Sequence, residues 1–385
     1  MSVRRQHDLE RELLLCCART KASRQVAARL RELAASVEVD WDYLLQLARR
    51  HALIPLLYLN LEREGAGLIP AASLAKLKIQ YQQNYARNII LTDELCRLIG
   101  IFKEAGIDAI PYKGPALALF AYGDLGLRRF VDLDVIVKKS DVPRARDLLF
   151  REDYDLSKPL TPAQQDLLLR TQHNLQFARN NHRLLLELHW EVAPHLFASS
   201  VQENELWQDL TTLKINDHEV NALVAEDLLF SLCVHGSRHL WERLGWICDV
   251  AEIIARHALN WDALQQKAAA ADNERMLLLG LHLAQKLLHT NLPPEVQQRC
   301  AADAHLESLA ATIIEHLFNG PAHVPATSRE IFKYNLRVRK SLTARARYLV
   351  HVLRPTDSDL GTQRVPERFT FAYYLTRPFR LLFKA

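Results

Sequence analysis

Glycine is nearly absent from most of this chain and is concentrated in one stretch. Twelve glycines occur in 385 residues, and five of them, Gly100, Gly106, Gly114, Gly123 and Gly126, fall within 27 consecutive positions. Average usage of about 7% would supply more than twice as many. A chain so poor in the residue that relieves backbone strain is expected to be rich in helix, and the cluster marks where its tight turns are gathered.

The length predicts two or three packed units rather than one ordinary core. Hydrophobic residues at 49% and charged residues at 24% exclude disorder as the main state. No apolar run approaches the roughly 18 residues of a spanning helix. The first residues, Met1-Ser-Val-Arg-Arg-Gln-His-Asp-Leu-Glu-Arg, lack the apolar block of a secretion signal, so a cytoplasmic protein is expected. Cys16, Cys17, Cys96, Cys233, Cys248 and Cys300 show no Cys-x-x-Cys spacing and read as small buried apolar side chains rather than disulfides or zinc ligands. The net charge of +4 hides an asymmetry: residues 321–385 hold 13 Lys/Arg against four acids. That region reads as a basic, aromatic segment packed on the body. An anionic membrane face or nucleic acid is its alternative partner.

The hydrophobic periodicity divides the chain. Residues 1–104 read as an N-terminal helical region, with Asp40 as an N-cap and a long helix over about Ala72 to Glu104. At Ile107 the pattern changes. Ile107–Tyr112 and Val131–Val137 read as strands, Ala116–Tyr122 as a short helix stopped by Gly123, and Ser140-Asp141-Val-Pro143 as the start of another helix. Asn174–Ala178 and Arg183–His189 flank a turn-forming Arg179-Asn-Asn-His182 and predict an antiparallel pair. Residues 105–200 are therefore a mixed α/β core. Helix is expected again from about Glu203, over Ala225–His239, Trp246–His257 and Asn273–Leu288, giving a C-terminal helical domain over 201–320. The fold class is α+β, predominantly helical, with a small mixed sheet between helical regions.

Asp132-Leu-Asp134 lies in a run of Val, Ile and Leu, where alternation puts both carboxylates on one strand face. Paired buried acids repel unless a cation neutralises them, and hard oxygen ligands at this spacing suit Mg²⁺ or Mn²⁺. Leu184-Leu-Leu-Glu187-Leu-His189-Trp repeats the pattern, with Glu187 and His189 on one face. If the two strands are neighbours, Glu187 completes a three-carboxylate site able to serve in-line phosphoryl chemistry. Lys113-Gly114 stands 18 residues before Asp132 at the end of a strand, and Arg128 and Arg129 precede the acids. These basic groups, with His189, are candidate phosphate contacts.

The block Tyr112-Lys-Gly-Pro-Ala-Leu-Ala-Leu-Phe-Ala-Tyr-Gly-Asp-Leu-Gly-Leu-Arg-Arg-Phe-Val-Asp-Leu-Asp-Val-Ile-Val137 closely resembles the signature of a largely uncharacterised bacterial nucleotidyltransferase family within the DNA polymerase β-like superfamily. Leu186-Glu-Leu-His-Trp190 resembles its third-carboxylate strand, and His235-Gly-Ser-Arg-His-Leu-Trp-Glu-Arg-Leu-Gly-Trp-Ile-Cys-Asp249 its helical block. The resemblance covers roughly residues 10–385. It implies that Asp132 and Asp134 are metal ligands, that Glu187 is the third acid and that Gly114 belongs to the nucleotide-binding turn. Two departures stand out. The superfamily's Gly-Ser or Gly-Gly turn is Gly114-Pro115 here, losing a hydroxyl and an N–H donor, and the gap to the first aspartate is longer. Lys113 with Arg128 is expected to compensate.

His235 and His239 are one helical turn apart, but no His-Glu-x-x-His is present, and they read as packing or cleft residues rather than zinc ligands. Arg238, Arg243 and Asp249 are candidates to line an acceptor cleft with them, or to link helices as an Arg–Asp pair. Trp241 and Trp246 read as helix-packing core. The expected activity is metal-dependent transfer of a nucleoside monophosphate from a nucleoside triphosphate such as ATP to an acceptor, with pyrophosphate release. A small molecule, peptide or protein is favoured over nucleic acid as acceptor. The competing reading is a non-catalytic protein of the same fold that contacts nucleic acid through Arg337, Arg339 and Lys340, or an anionic membrane through residues 365–385.

Overall fold

The computed structural model describes residues 7–192, 206–318 and 326–356, together with 359–360, 373–374 and 377. Four N-terminal helices come first: α1 (Asp8–Cys17), α2 (Arg24–Ala34), α3 (Trp41–Arg50) and α4 (Ile54–Glu64). Ser23 accepts from Val26 N at the start of α2, and Asp40 accepts from Tyr43 N at the start of α3. Each satisfies an amide that the first helical turn leaves open. Helix α3 buries Tyr43, Leu44, Leu45, Leu47 and Ala48 and carries Arg49 and Arg50 in its last turn, where cations suit the carbonyl end of the helix.

Helix α5 (Ala71–Glu104) runs for 34 residues, about 50 Å. Leu77 near its start packs into a core shared with the flanking helices, whereas Leu91, Leu95, Leu98 and Phe102 pack into a second core under the sheet. One rigid element therefore serves both hydrophobic cores.

The sheet contains β1 (Ala109–Pro111), β2 (Leu133–Val137), β3 (Asp155–Leu156), β4 (Asn174–Arg179) and β5 (Leu184–His189), in the order β1-β2-β5-β4-β3. β2 and β5 are parallel, and the other pairs are antiparallel. Between β1 and β2 lies α6 (Gly114–Leu117), which continues through a π turn over Ala118–Tyr122 to Gly123 in the left-handed region. Helices α7 (Val142–Arg151) and α8 (Pro162–Thr171) belong to the crossover from β2 to β5, as parallel strands require.

The sequence from Glu203 was expected to be helical, and here the structure differs. Residues 203–205 lie outside the described set, and β6 (Leu210–Ile215) pairs with β7 (His218–Leu223) as a two-stranded hairpin. The turn residue Asn216 has φ 51°, which suits an Asn-Asp hairpin turn. Thr211, Thr212 and Val220 are β-branched, a preference that counting apolar residues alone overlooks. Helices then follow, α9 (Ala225–Arg238), α10 (Leu244–Arg256), α11 (Trp261–Ala270), α12 (Glu274–Leu288), α13 (Pro294–Ala302), α14 (Leu306–Phe318), α15 (Ser328–Arg337) and α16 (Leu342–Leu353), of which α9, α10 and α12 fall on the three spans expected from the sequence.

All six cysteines are buried and unbonded. No helix of the described residues is long and apolar enough to cross a membrane. In the basic region Arg339 is only 2% exposed and donates to Asn335, while Arg337 donates to Ser308 and Lys340 pairs with Glu274. Tyr373 is buried and accepts from Gln164. Apart from Tyr373, Tyr374 and Arg377, the segment Phe369–Lys384 lies outside the described residues.

Candidate active site

The parallel pairing of β2 with β5 sets Asp134 opposite Glu187, with Leu133 opposite Leu186 and Val135 opposite Leu188. Because side chains alternate along each strand, this register puts both carboxylates on one face and the four aliphatic residues on the other, in the second core. Burial of that apolar face fixes the register, and the register fixes the distance between the acids.

Asp134 is 5% exposed, and its Oδ1 lies 3.1 Å from Lys113 Nζ and 3.2 Å from His189 Nε2. His189 Nε2 is also 3.1 Å from Glu187 Oε2. Asn174 and Gln176 on β4 donate to Glu187 at 2.9 and 3.0 Å. Burial alone would raise the Asp134 pKa, but the Lys113 charge and the His189 hydrogen bond outweigh it and hold the carboxylate well below its ordinary range. Burial likewise works against charge on His189, and its hydrogen bonds to Asp134 and Glu187 more than reverse that, so its pKa is raised.

Asp132 precedes β2 and faces the same cleft. Its carboxyl is pushed up to about 6, first by burial and then by Asp134 and Glu187. One ligand atom each from Asp134, Glu187 and His189 lie within 4.8 Å of one another, and Asp132 is outside that cluster. The carboxylates of Asp134 and Glu187, with Asp132 beside them on the same cleft, are hard oxygen ligands of the kind a divalent cation takes.

These residues open into a cleft of about 490 Å³. Of the residues singled out in the sequence, Lys113, Gly114, Arg128, Arg129, Asp132, Asp134, Glu187, His235, Arg243 and Asp249 line it. His189 lies beneath it at 2% exposure. Arg238 and His239 are not among the lining residues. The His239 ring instead sits against His235 and Trp246, at 4.8 and 5.9 Å between centroids. Arg128 and Asp249, read separately from the sequence, meet as a bidentate pair at 2.9 and 3.0 Å, and Tyr122 donates to the same Asp249 oxygen. Trp241 is fully buried as core, whereas Trp246 also reaches the cleft.

The sequence reading missed Arg49 and Arg50, which α3 delivers to the cleft. It also missed Asn88. This buried α5 side chain donates to Leu125 O at 2.6 Å and Arg128 O at 2.8 Å, tying down the loop that carries Arg128 to Asp132. Nothing local marks either contribution, because both come from helices distant in sequence. Gly114, by contrast, has φ +53°, and a Cβ there would stand 3.1 Å from Asp132 O. The glycine lets the turn after β1 press against the backbone that presents the aspartates.

A parallel strand pair here offers carboxylates to a cleft rimmed with lysine and arginine. Residues 37–289 match the family described as uncharacterised nucleotidyltransferase, and the chain belongs to that family; it is a nucleotidyltransferase. No match is found among curated proteins. Among solved structures the chain is similar to an antigenic nucleotidyltransferase-like protein from Paracoccidioides brasiliensis. The identity is 16%, over 52% of this chain and 93% of that one, with a TM-score of 0.34.

Proposed function

We propose that the protein moves a nucleoside monophosphate from a nucleoside triphosphate to an acceptor hydroxyl or phosphate, with release of pyrophosphate, and depends on Mg²⁺ or Mn²⁺. The observation that carries this reading is the pairing of Asp134 with Glu187 at the floor of a cationic cleft. Asp134, Glu187 and Asp132 would hold the metal, which supplies positive charge against the triphosphate and lowers the pKa of the attacking group.

The residues of the chain divide the remaining work. Lys113 and His189 fix the orientation of Asp134, so its geometry is set before substrate arrives. Asn174 and Gln176 do the same for Glu187, which takes the proton of the acceptor as its oxygen bonds to the α-phosphorus and the bond to the pyrophosphate oxygen breaks. His235, held well below its ordinary pKa first by burial and then by Lys113, presents a neutral ring to the cleft, where an acceptor would lie.

Equilibrium binding of each nucleoside triphosphate with Mg²⁺ tests the reading. Binding should depend on the metal and be lost in Asp132→Asn and Asp134→Asn; binding that is indifferent to both variants contradicts it.

A further inference from the structure

The sequence assigns the lost donors of the Gly114-Pro115 turn to Lys113 and Arg128, yet both cations are already committed. Lys113 Nζ is bonded to Asp134, and both arms of the Arg128 fork lie on Asp249. The triphosphate would bring about four negative charges into the cleft, and hydrogen-bonding cations with no acid of their own are the groups suited to meet them.

Such groups line the cleft. Arg49, Arg50, Arg129 and Arg243 all border it; Arg49 Nε donates to Gln80 Oε1, and none of the four is ion-paired with a carboxylate among the described residues. Arg50 donates through Nη2 to His316 O, while its Nε is buried without a hydrogen-bond partner. Arg129 makes one long contact, 3.4 Å, to Arg49 O. Arg243 stands 5.8 Å from the Trp246 ring centre. Burial first, and then Arg243 and Arg87, work against the charge on Arg129, so like charges are gathered on this side of the cleft.

We infer that the polyphosphate of the nucleotide is held by an arginine wall, Arg49 and Arg50 from α3, Arg129 from the loop before β2 and Arg243 from the start of α10, in place of the turn after β1. This assignment rests on the reading of the cleft as a nucleotide site. It makes the N-terminal helices part of the binding site: without α3 half of the wall is missing. Guanidinium forks match phosphate oxygens two at a time, which an ammonium does not.

The test is calorimetric titration of the full chain with inorganic tripolyphosphate, without metal, beside orthophosphate. Tripolyphosphate should bind more tightly than orthophosphate, and Arg129→Ala, Arg243→Ala and the Arg49→Ala/Arg50→Ala pair should each weaken it about tenfold or more while melting as the parent does. Arg243→Lys and Arg129→Lys, which keep charge and bulk but lose the fork, should weaken it severalfold, and they decide the matter if an alanine variant fails to fold. Unchanged tripolyphosphate binding in the folded variants overturns the assignment. So does orthophosphate binding of equal strength, which would give the wall to a single phosphate of the acceptor. The transfer reading is tested separately: Asp134→Asn should lose transfer yet keep tripolyphosphate, whereas wall variants that lose tripolyphosphate in a protein that transfers nothing would leave the wall standing and remove the reaction.

Discussion

Asp134 on β2 and Glu187 on β5 are direct partners in a parallel strand pair, and one His189 nitrogen lies 3.2 Å from the first and 3.1 Å from the second. Two acids 53 positions apart in the chain are thereby made one unit. Glu187→Gln keeps the shape and removes the charge. It should lower the transfer rate by at least about a hundredfold, in line with losing a preorganised group that acts on the reacting atoms, with little change in melting temperature. Steady-state turnover beside a thermal melt checks this.

Asn88 acts at a distance. Its amide holds Leu125 O and Arg128 O, so Asn88→Ala loosens the loop that leads to Asp132, leaving Leu125 O without this donor and Arg128 O with only the longer bond from Asn84. A loss of about 1–3 kcal/mol of stability is expected, with a fall in turnover of about tenfold or more from misplacement. Denaturant unfolding and kinetics on the same sample separate the two effects.

Gly114→Ala carries both a left-handed backbone and a 3.1 Å approach to Asp132 O, whereas Gly67, at φ +81°, has nothing within 4 Å of an added Cβ. Both substitutions should cost about 1–2 kcal/mol from the backbone. Only Gly114→Ala should also depress nucleotide transfer. Equal activity in the two variants would show that the turn does not position the aspartates.

The Arg128–Asp249 pair links the pre-β2 loop to α10, with side chains 13% and 2% exposed. Removing one partner strands a buried charge, so Asp249→Asn should destabilise by about 3–5 kcal/mol. Arg128→Met combined with Asp249→Leu should cost less than the sum of the single changes. A double-mutant cycle in urea measures the coupling.

A pH effect on stability is expected at Glu94. Burial alone would raise its pKa, but hydrogen bonds from Arg97 and Tyr154 and the charges of Arg97 and Arg179 bring it below the ordinary glutamate value of 4.5. A depressed acid stabilises the fold above the unfolded-state value, and that contribution is lost as pH falls through the depressed one. Between pH 7 and pH 3 the parent should therefore lose more melting temperature than Glu94→Gln does. Parallel pH–melting curves for the two proteins read the difference.

The site was legible where the chemistry is local and strand alternation applies. Asp134, Glu187 and His189 announce a shared face through the Val, Leu and Ile between them, and the Arg179-Asn-Asn-His182 turn announces the β4–β5 pair. The parallel β2–β5 pairing is not legible in the sequence, because a crossover connection carries no register signal. Arg49, Arg50 and Asn88 were illegible for the same reason: a helix displays its own periodicity and says nothing of the distant loop its polar side chains will meet. The β6–β7 hairpin was overlooked because its one clear mark, Asn216-Asp217, sits between strands with no continuous apolar run.

Transfer of a nucleoside monophosphate at the Asp134–Glu187 pair is open to direct observation. Its most direct measurement is the passage of label from α-phosphate-labelled nucleoside triphosphates, offered one at a time with Mg²⁺, into fractions of a cell extract, with the parent protein beside Asp134→Asn. One fraction should gain label with stoichiometric pyrophosphate, chelation of the metal should stop it, and the folded Asp134→Asn protein should not support it. Label transfer that persists in Asp134→Asn would show that the reaction does not run through this pair of acids.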